Sequence, residues 1–393
     1  MATAPTLPAV TPAAPTREPG LLDALGLLLE VVDDLVVGTV RDTHRAVAGR
    51  VRAAGAPLAA HDLVARGVYA GIGTALRGAG RGLDALAGTG AGPALEARPA
   101  GRHLRAAVNG LIGDRLVGSR PVLAIPAAPR VDGRDVPVTP TGLAAAYPDA
   151  RGRVVVLLHG LGESDETWRL GRGERGTTYA EELAAAGWTP VVLRMNTGLG
   201  LRPNGVALAA LLEDLVRGWP TEVERLALVG HSMGGLVVRA ATAVAGDLRW
   251  PGLVSDVVTL GTPHRGAPLA ELVGNGSAGL ALLGETAAFG RILDERSVGI
   301  RDLVEGLGHD VGLLEHARYR LVAGTVTTSA RHPVGALLGD LLVREASAHG
   351  RRGTGWDDLF ADADVTTVHV GGAGHFALLN HPTVAAHLLD WLA

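Results

Sequence analysis

Ser232 is the residue whose setting most plainly invites chemistry. It stands in RLALVGHSMGGLVVRAA, Arg225 to Ala241. Leu226 to Val229 make a short apolar run with a β-branched end, the pattern of a strand buried on both faces. Leu236, Val237 and Ala240 follow at helical spacing. Between them lies Gly230-His231-Ser232-Met233-Gly234, a Gly-x-Ser-x-Gly turn that would lift a serine hydroxyl to the apex between strand and helix. Shuffling a chain with 56 Gly and 8 Ser yields roughly 0.16 such patterns, so the flanking strand and helix signals carry the argument rather than the spacing alone.

A serine hydroxyl attacks only when a base takes its proton, and the base is usually oriented by an acid. In a strand–helix alternating fold the chain order is Ser, then Asp or Glu, then His. His375, in VHVGGAGHFALLNHP, follows the run Val365 to Val370 and a glycine-rich turn, which is the position such a base needs. His369 lies within that run, and His381 and His387 lie beside or on the last helical segment, His381 as a helix-entry residue before Pro382. Spacing leaves the acid open. Asp340 and Glu345 come first after the run Tyr319 to Gly324, and Asp357, Asp358, Asp362 and Asp364 stand nearer the last strand. This later acidic run has no fixed ligand spacing and reads as a solvated face rather than a cation site. Two backbone N–H groups must face the oxyanion. Met233, after the nucleophile, supplies one, and Leu161 in HGLGESDETWRL, after the run ending at Leu158, supplies the other.

The elements that position these residues alternate along the second part of the chain. PVLAIP, RVVVLLHG, TPVVLRMN, RLALVGHS, VSDVVTLGTP, YRLVAGTV and VTTVHVGG read as strands. YAEELAAAG, NGVALAALLEDLVRGW, GLVVRAATAVAG and PTVAAHLLDWL read as helices between and after them. That alternation predicts an α/β fold, a mostly parallel doubly wound sheet with helices on both faces. Residues 266–314 interrupt it with a Leu-, Ala- and Gly-rich segment of helical pattern, read as a cap or lid insertion.

Residues 1–20 are rich in Pro, Ala and Thr and read as a disordered lead-in with no basic-then-apolar leader pattern. Residues 21–100 read as a helical N-terminal extension of several glycine-broken helices, with GTGAGPALEARPAGR as a linker to a catalytic domain over 101–393. The first helix, LLDALGLLLEVVDDLVVGTV, carries Asp23, Glu30, Asp33 and Asp34, costly in a bilayer, so it reads as packed on protein. Its apolar stripe, Leu21, Leu25, Leu28, Val32, Leu35 and Val36, is the face expected to pack or self-associate.

Composition removes other chemistries. There is no Cys and no Lys, which excludes disulfides, cysteine nucleophiles, thiolate metal sites, Schiff bases and Ser-Lys catalysis. A net charge of −4 gives no reason to expect nucleic acid. No cofactor and no metal is implied, no transmembrane segment is expected, and a cytoplasmic location with peripheral lipid association as its variant is the default reading.

From about Asn109 onward the chain resembles bacterial α/β-hydrolase-fold lipases and esterases, notably those grouped with GPI inositol-deacylase-like hydrolases. The resemblance rests on VVVLLHGLGESDETWRL, WTPVVLRMNTGLGLRPNG, RLALVGHSMGGLVVRAA, VVTLGTPHRGAPL, GDLLVREASA and HFALLNHPTVAAHLLDWL, taken in that order. It implies an α/β-hydrolase fold and makes Asp340 the acid of a Ser232–Asp340–His375 triad. The family's Asp-Gly-x-Val-Pro stands here as Asp340-Leu-Leu-Val-Arg344, without its Gly and Pro. Within TPHRG, His264 precedes the acid and is expected at a rim or in a structural role. The implied function is hydrolysis of carboxylic esters with aliphatic acyl chains through an acyl-enzyme. Trp168 and Phe376 are expected to line the mouth of the acyl pocket. An acyltransferase using the same triad, or a lipid- or granule-surface binding protein with a vestigial hydrolase domain, is the alternative.

Overall fold

The computed structural model describes residues 17–31, 33, 59–244, 246–267, 297–308, 310–329, 332–352 and 357–393. The described residues fall into two compact units, one over 102–267 and 297–393, the other over 17–101.

In the first unit eight strands form one sheet: β1 (Ala128–Val131), β2 (Arg134–Asp135), β3 (Arg153–Leu158), β4 (Thr189–Arg194), β5 (Arg225–His231), β6 (Val254–Leu260), β7 (Arg318–Thr325) and, beyond a separate two-stranded ribbon of β8 (Arg351–Arg352) and β9 (Asp357–Asp358), β10 (Asp364–Gly371). Their order across the sheet is β10-β7-β6-β5-β3-β4-β1-β2. The six from β10 to β4 run parallel, and β1 is antiparallel to both β4 and β2. Parallel strands covered on both faces need apolar side chains on both, which is why RVVVLL is unbroken. Val154, Val156 and Leu158 enter one core, with Leu208, Leu212 and Leu236. Val155 and Leu157 enter the other, with Trp188, Leu183 and Leu388. The helices that supply the leucine partners are Tyr179–Ala185, Leu201–Gly218, Met233–Ala243 and Pro382–Trp391.

One predicted strand is absent. PVLAIP, residues 121–126, is a turn with Leu123, Ala124 and Ile125 buried. Its backbone is satisfied by side chains instead of a ladder. Arg105 donates to the carbonyls of Val122, Leu123 and Ala124, and Asn109 donates to that of Leu123 and accepts from Ile125 N–H. Both come from the helix Pro99–Ser119, which kinks at Ile112 (φ −139°, ψ 19°). Beside the kink the carbonyls of Gly110 and Leu111 accept from Ser297 Oγ (2.6 Å) and N (2.9 Å).

The predicted cap, 266–314, lies outside the described residues between 268 and 296. Its two described ends are joined. Ala267 N–H donates to Leu303, and Leu307 N–H donates to His264. After the helix Val298–Glu305, Arg239 donates to the carbonyls of Leu307 and Gly308 and Thr242 to that of Gly312.

In the second unit the helices Leu21–Val31 and Ala59–Gly88 are described, with Val32, 34–58 and 270–296 outside that description. Ala59–Gly88 runs 30 residues through its glycines without a break, contrary to the glycine-broken pattern expected. The predicted linker is also more ordered than a linker. Pro93 and Leu95 exchange backbone bonds with Leu21 and Pro19, and a helical turn follows at Leu95–Ala97. Of the stripe expected to pack or self-associate, Val32, Leu35 and Val36 lie outside the described residues. Leu21, Leu25 and Leu28 are exposed, whereas Asp23 and Leu27 are buried. Asp23 is tied there because it accepts from Arg17 (2.6 Å) and from Gly20 N–H (2.8 Å). Among the described residues no helix is long and apolar enough to cross a membrane.

Candidate active site

The carboxyl ends of β3, β5, β7 and β10 converge, and the predicted site residues stand on the loops that leave them. Ser232 follows β5 at φ 51°, ψ −124°, a strained conformation for a residue with a side chain, of order 1–3 kcal/mol. Neighbours hold it there. Ser232 N–H donates to Leu260 (2.8 Å), and Thr262 Oγ1 donates to the Ser232 carbonyl (2.9 Å). The turn needs its glycines because helix and strands approach too closely for a side chain. A Cβ on Gly234 would lie 2.4 Å from the Leu158 carbonyl oxygen, and one on Gly235 would lie 2.2 Å from Thr262 Oγ1. The helix Met233–Ala243 thus begins at the serine, with the positive end of its dipole there.

Asp340 and His375, 35 residues apart, meet on the loops after β7 and β10. Asp340 Oδ2 lies 2.7 Å from His375 Nδ1, and both side chains are buried. The other carboxylate oxygen accepts from Val343 N–H (2.7 Å) and Leu342 N–H (3.0 Å), and the Asp340 carbonyl accepts from His375 N–H (2.9 Å). The acid is therefore fixed at four points, and the Nδ1 contact orients the imidazole with Nε2 carrying no hydrogen bond among the described residues. Leu341, where the family pattern has glycine, sits at φ 85°. The loop keeps the turn the missing glycine would make, at the expense of strain.

Of the rival acids, Asp358 pairs with Arg351 at 3.5 Å and Asp364 with Arg320 at 3.8 Å. Among the described residues no group of three or more potential ligands could hold a metal ion. Of the rival histidines, His369 bonds Thr325 Oγ1 from within β10, and His381 caps the last helix by accepting from Thr383 N–H.

The loop after β3 is occupied in a definite way. Gly160 N–H donates to Glu163 Oε2 (3.0 Å), Glu163 N–H to the Gly160 carbonyl (3.2 Å) and Gly162 N–H to Thr197 Oγ1 (3.0 Å). Leu161 N–H, between them, has no partner among the described residues, nor has Met233 N–H. His159 braces the loop from below. Its Nε2 accepts from Met195 N–H (3.2 Å) and its Nδ1 lies 2.9 Å from the Gly160 carbonyl, a pattern that suits the neutral ring. Burial pushes its pKa down and outweighs the carboxylates nearby.

Two expectations are corrected. Trp168 lines no mouth. It is 2 % exposed and packs in the core with Trp188, Tyr179 and Leu378, while its carbonyl accepts from Asn380 Nδ2. His264 is not at a rim. It is fully buried, with Nε2 3.2 Å from Thr259 Oγ1 and its ring edge-on to Phe360, so only the structural half of that expectation holds. Phe376 is half exposed, its ring 5.5 Å from that of His375.

Sequence reasoning passed over Glu163 and His231. His231, directly before the serine, is fully buried with Nδ1 3.0 Å from Glu163 Oε1. A carboxylate in a glycine-rich loop behind a buried strand was the signal available, since such a group needs a partner.

An eight-stranded sheet with one antiparallel strand, a serine on the strand–helix turn after β5, an acid after β7 and a histidine after the last strand define the architecture. The fold is that of the α/β-hydrolases. Residues 209–273, which include the turn, match the family described as PGAP1-like alpha/beta domain. A triacylglycerol lipase of Burkholderia plantarii is 31% identical over 144 residues, 36% of this chain and 38% of that protein. A triacylglycerol lipase of Pseudarthrobacter phenanthrenivorans is 32% identical over 136 residues, 34% of this chain and 38% of that one. The matched part of the chain thus spans under two fifths of the length of either relative. Among solved structures, the mature lipase BlEst2 of Bacillus licheniformis is 20% identical, with 61% of this chain and 92% of that one covered at a TM-score of 0.42. An esterase of Thermogutta terrifontis is 14% identical, with 62% and 90% covered at 0.38.

Proposed function

We propose that this α/β-hydrolase cleaves carboxylic esters by way of an acyl-enzyme on Ser232. The observation that carries the reading is the strained serine at the strand–helix turn in the same unit as a buried Asp340–His375 couple. The names of the two relatives, both triacylglycerol lipases, point to the same substrate class.

In this reading His375 Nε2 takes the Ser232 proton as Oγ attacks the ester carbonyl carbon. Asp340 holds Nδ1–H and stabilises the imidazolium that forms. The carbonyl oxygen becomes an oxyanion and is received by Leu161 and Met233 N–H at the helix start, where fixed donors need no reorganisation. Collapse breaks the bond to the alkoxy oxygen, and the proton on His375 passes to the departing alcohol. Water then repeats the sequence: its proton goes to His375, its oxygen bonds the acyl carbon, and Ser232 leaves as the hydroxyl. No metal or cofactor enters these steps. Aliphatic acyl chains are the proposed substrates, since aromatic residues make up only 3% of the chain.

The test is hydrolysis of p-nitrophenyl esters of increasing acyl length, with and without an acceptor alcohol. The reading expects water-dependent release of p-nitrophenol that improves as the acyl chain lengthens from acetate. Release only in the presence of acceptor would make the protein an acyltransferase. No release by folded protein from any ester would contradict the reading.

A further inference from the structure

We propose that Glu163 and His231 form a charged positioning pair that ties together the three loops carrying Leu161, Ser232 and His375. The proposal rests on the ester-cleaving reading above and goes beyond the triad.

Its basis is the geometry of one imidazole. His231 Nδ1 lies 3.0 Å from Glu163 Oε1 and 3.1 Å from Oε2, and its Nε2 lies 3.4 Å from the His375 carbonyl oxygen. Both ring nitrogens face oxygen atoms, one pair from a carboxyl group and one from a backbone carbonyl. A neutral ring donates from one nitrogen only and would set the lone pair of the other against an oxygen, so with Glu163 ionised both contacts together are those of the imidazolium. Glu163 also accepts from Gly160 N–H at 3.0 Å, the residue before Leu161. The carboxylate thus fixes the turn after β3, the imidazolium is covalently next to Ser232, and its far nitrogen holds the backbone of His375. The fit is close. A Cβ on Gly160 would lie 2.6 Å from Glu163 Oε1 and 2.8 Å from the Ser232 Cβ.

The charged groups that face the pair come from every loop at the site. Burial alone would drive His231 down, but the Glu163 charge and hydrogen bond, the His375 carbonyl and the Asp340 charge outweigh it, and the pKa is raised. Burial alone would raise Glu163, but the charge and hydrogen bond of His231, the Gly160 N–H and the charge of His159 outweigh it, and the pKa is lowered. The pair is therefore charged across a widened window. The contribution of Glu163 is lost as pH falls through its lowered value, and that of His231 as pH rises through its raised value. Neither nitrogen of His231 is left over for proton transfer, so the pair acts through position. A ring that loses its second proton releases either Glu163 or His375, and a displacement of about 1 Å at the reacting groups costs about 10²-fold.

The test combines pH–rate profiles with imidazole ¹⁵N spectra of the full chain. In the wild type, His231 is expected to keep imidazolium shifts above the ordinary imidazole value of about 6.5. Glu163→Gln is expected to lower kcat about 10²-fold with KM little changed, because position rather than binding is lost. It should also bring the alkaline limb of kcat/KM down by about one pH unit or more, as the carboxylate no longer supports the ring, and Glu163→Asp should restore that limb. A neutral His231 in the wild type at pH 6.5 overturns the proposal even if the variant fails to fold. An alkaline limb in Glu163→Gln that coincides with the wild type overturns it as well. A wild type that hydrolyses no ester would fail the reading of function alone, since the spectra still decide the charge on His231.

Discussion

Two carboxylate–imidazole pairs stand at the carboxyl edge of one sheet, and they differ in what they leave free. Asp340 engages one nitrogen of His375 and the backbone around it, and the second nitrogen has no hydrogen bond among the described residues. Glu163 engages one nitrogen of His231, whose second nitrogen already faces the His375 carbonyl oxygen. The residue types are nearly interchangeable, yet the first arrangement can pass a proton and the second can only hold one. What separates a base from a brace is the partner of the second nitrogen.

The largest effect that could break this contrast is expected at the first pair. His375→Ala should reduce kcat on the order of 10⁶-fold, and Asp340→Asn about 10⁴-fold with folding intact, because the amide favours the wrong tautomer. Steady-state kinetics with p-nitrophenyl esters reads both. Activity that survives Asp340→Asn but disappears in Asp364→Asn would hand the acid's role to Asp364 and dissolve the comparison.

A smaller effect sharpens it. Leu341 holds Asp340 in place from a left-handed backbone conformation, φ 85°, and its side chain is exposed, so little packing compensates. Leu341→Gly should therefore raise the unfolding free energy by about 1 kcal/mol or less, once the larger unfolded-state entropy of glycine offsets the relieved strain, seen as a higher midpoint of thermal unfolding. Its kcat should remain at the wild-type level. A large loss of activity would mean that Leu341 does more than carry the turn.

How much of this was legible in the sequence depended on how local the signal was. The six parallel strands and the serine turn were read from continuous runs, because inner strands such as β3, buried on both faces, are apolar along their length, the edge strand β10 keeps a β-branched run, and the turn is a contiguous pattern. PVLAIP had the same composition as a strand, but Arg105 and Asn109 take its backbone groups, and no local pattern reports a partner 14 to 19 residues away. The contact of Glu163 with His231 crosses 68 residues and was invisible for the same reason. Trp168 was misplaced because an aromatic beside a site loop can face either way, and Asn380 anchors this one inward through its carbonyl. In Leu21–Val31 the described part of the apolar stripe, Leu21, Leu25 and Leu28, is exposed in the single chain, and Asp23, paired with Arg17, is buried, a contact that apolar spacing does not report. The assignment of Asp340 came from the family resemblance, since spacing alone left several acids open.

The central claim is that Ser232 is the activated nucleophile, and covalent labelling tests it most directly. Wild-type protein treated with a fluorophosphonate should gain one adduct by intact mass, located on the peptide that contains Ser232, and Ser232→Ala should gain none. Equal labelling of both proteins, or an adduct on any other residue, would contradict the account.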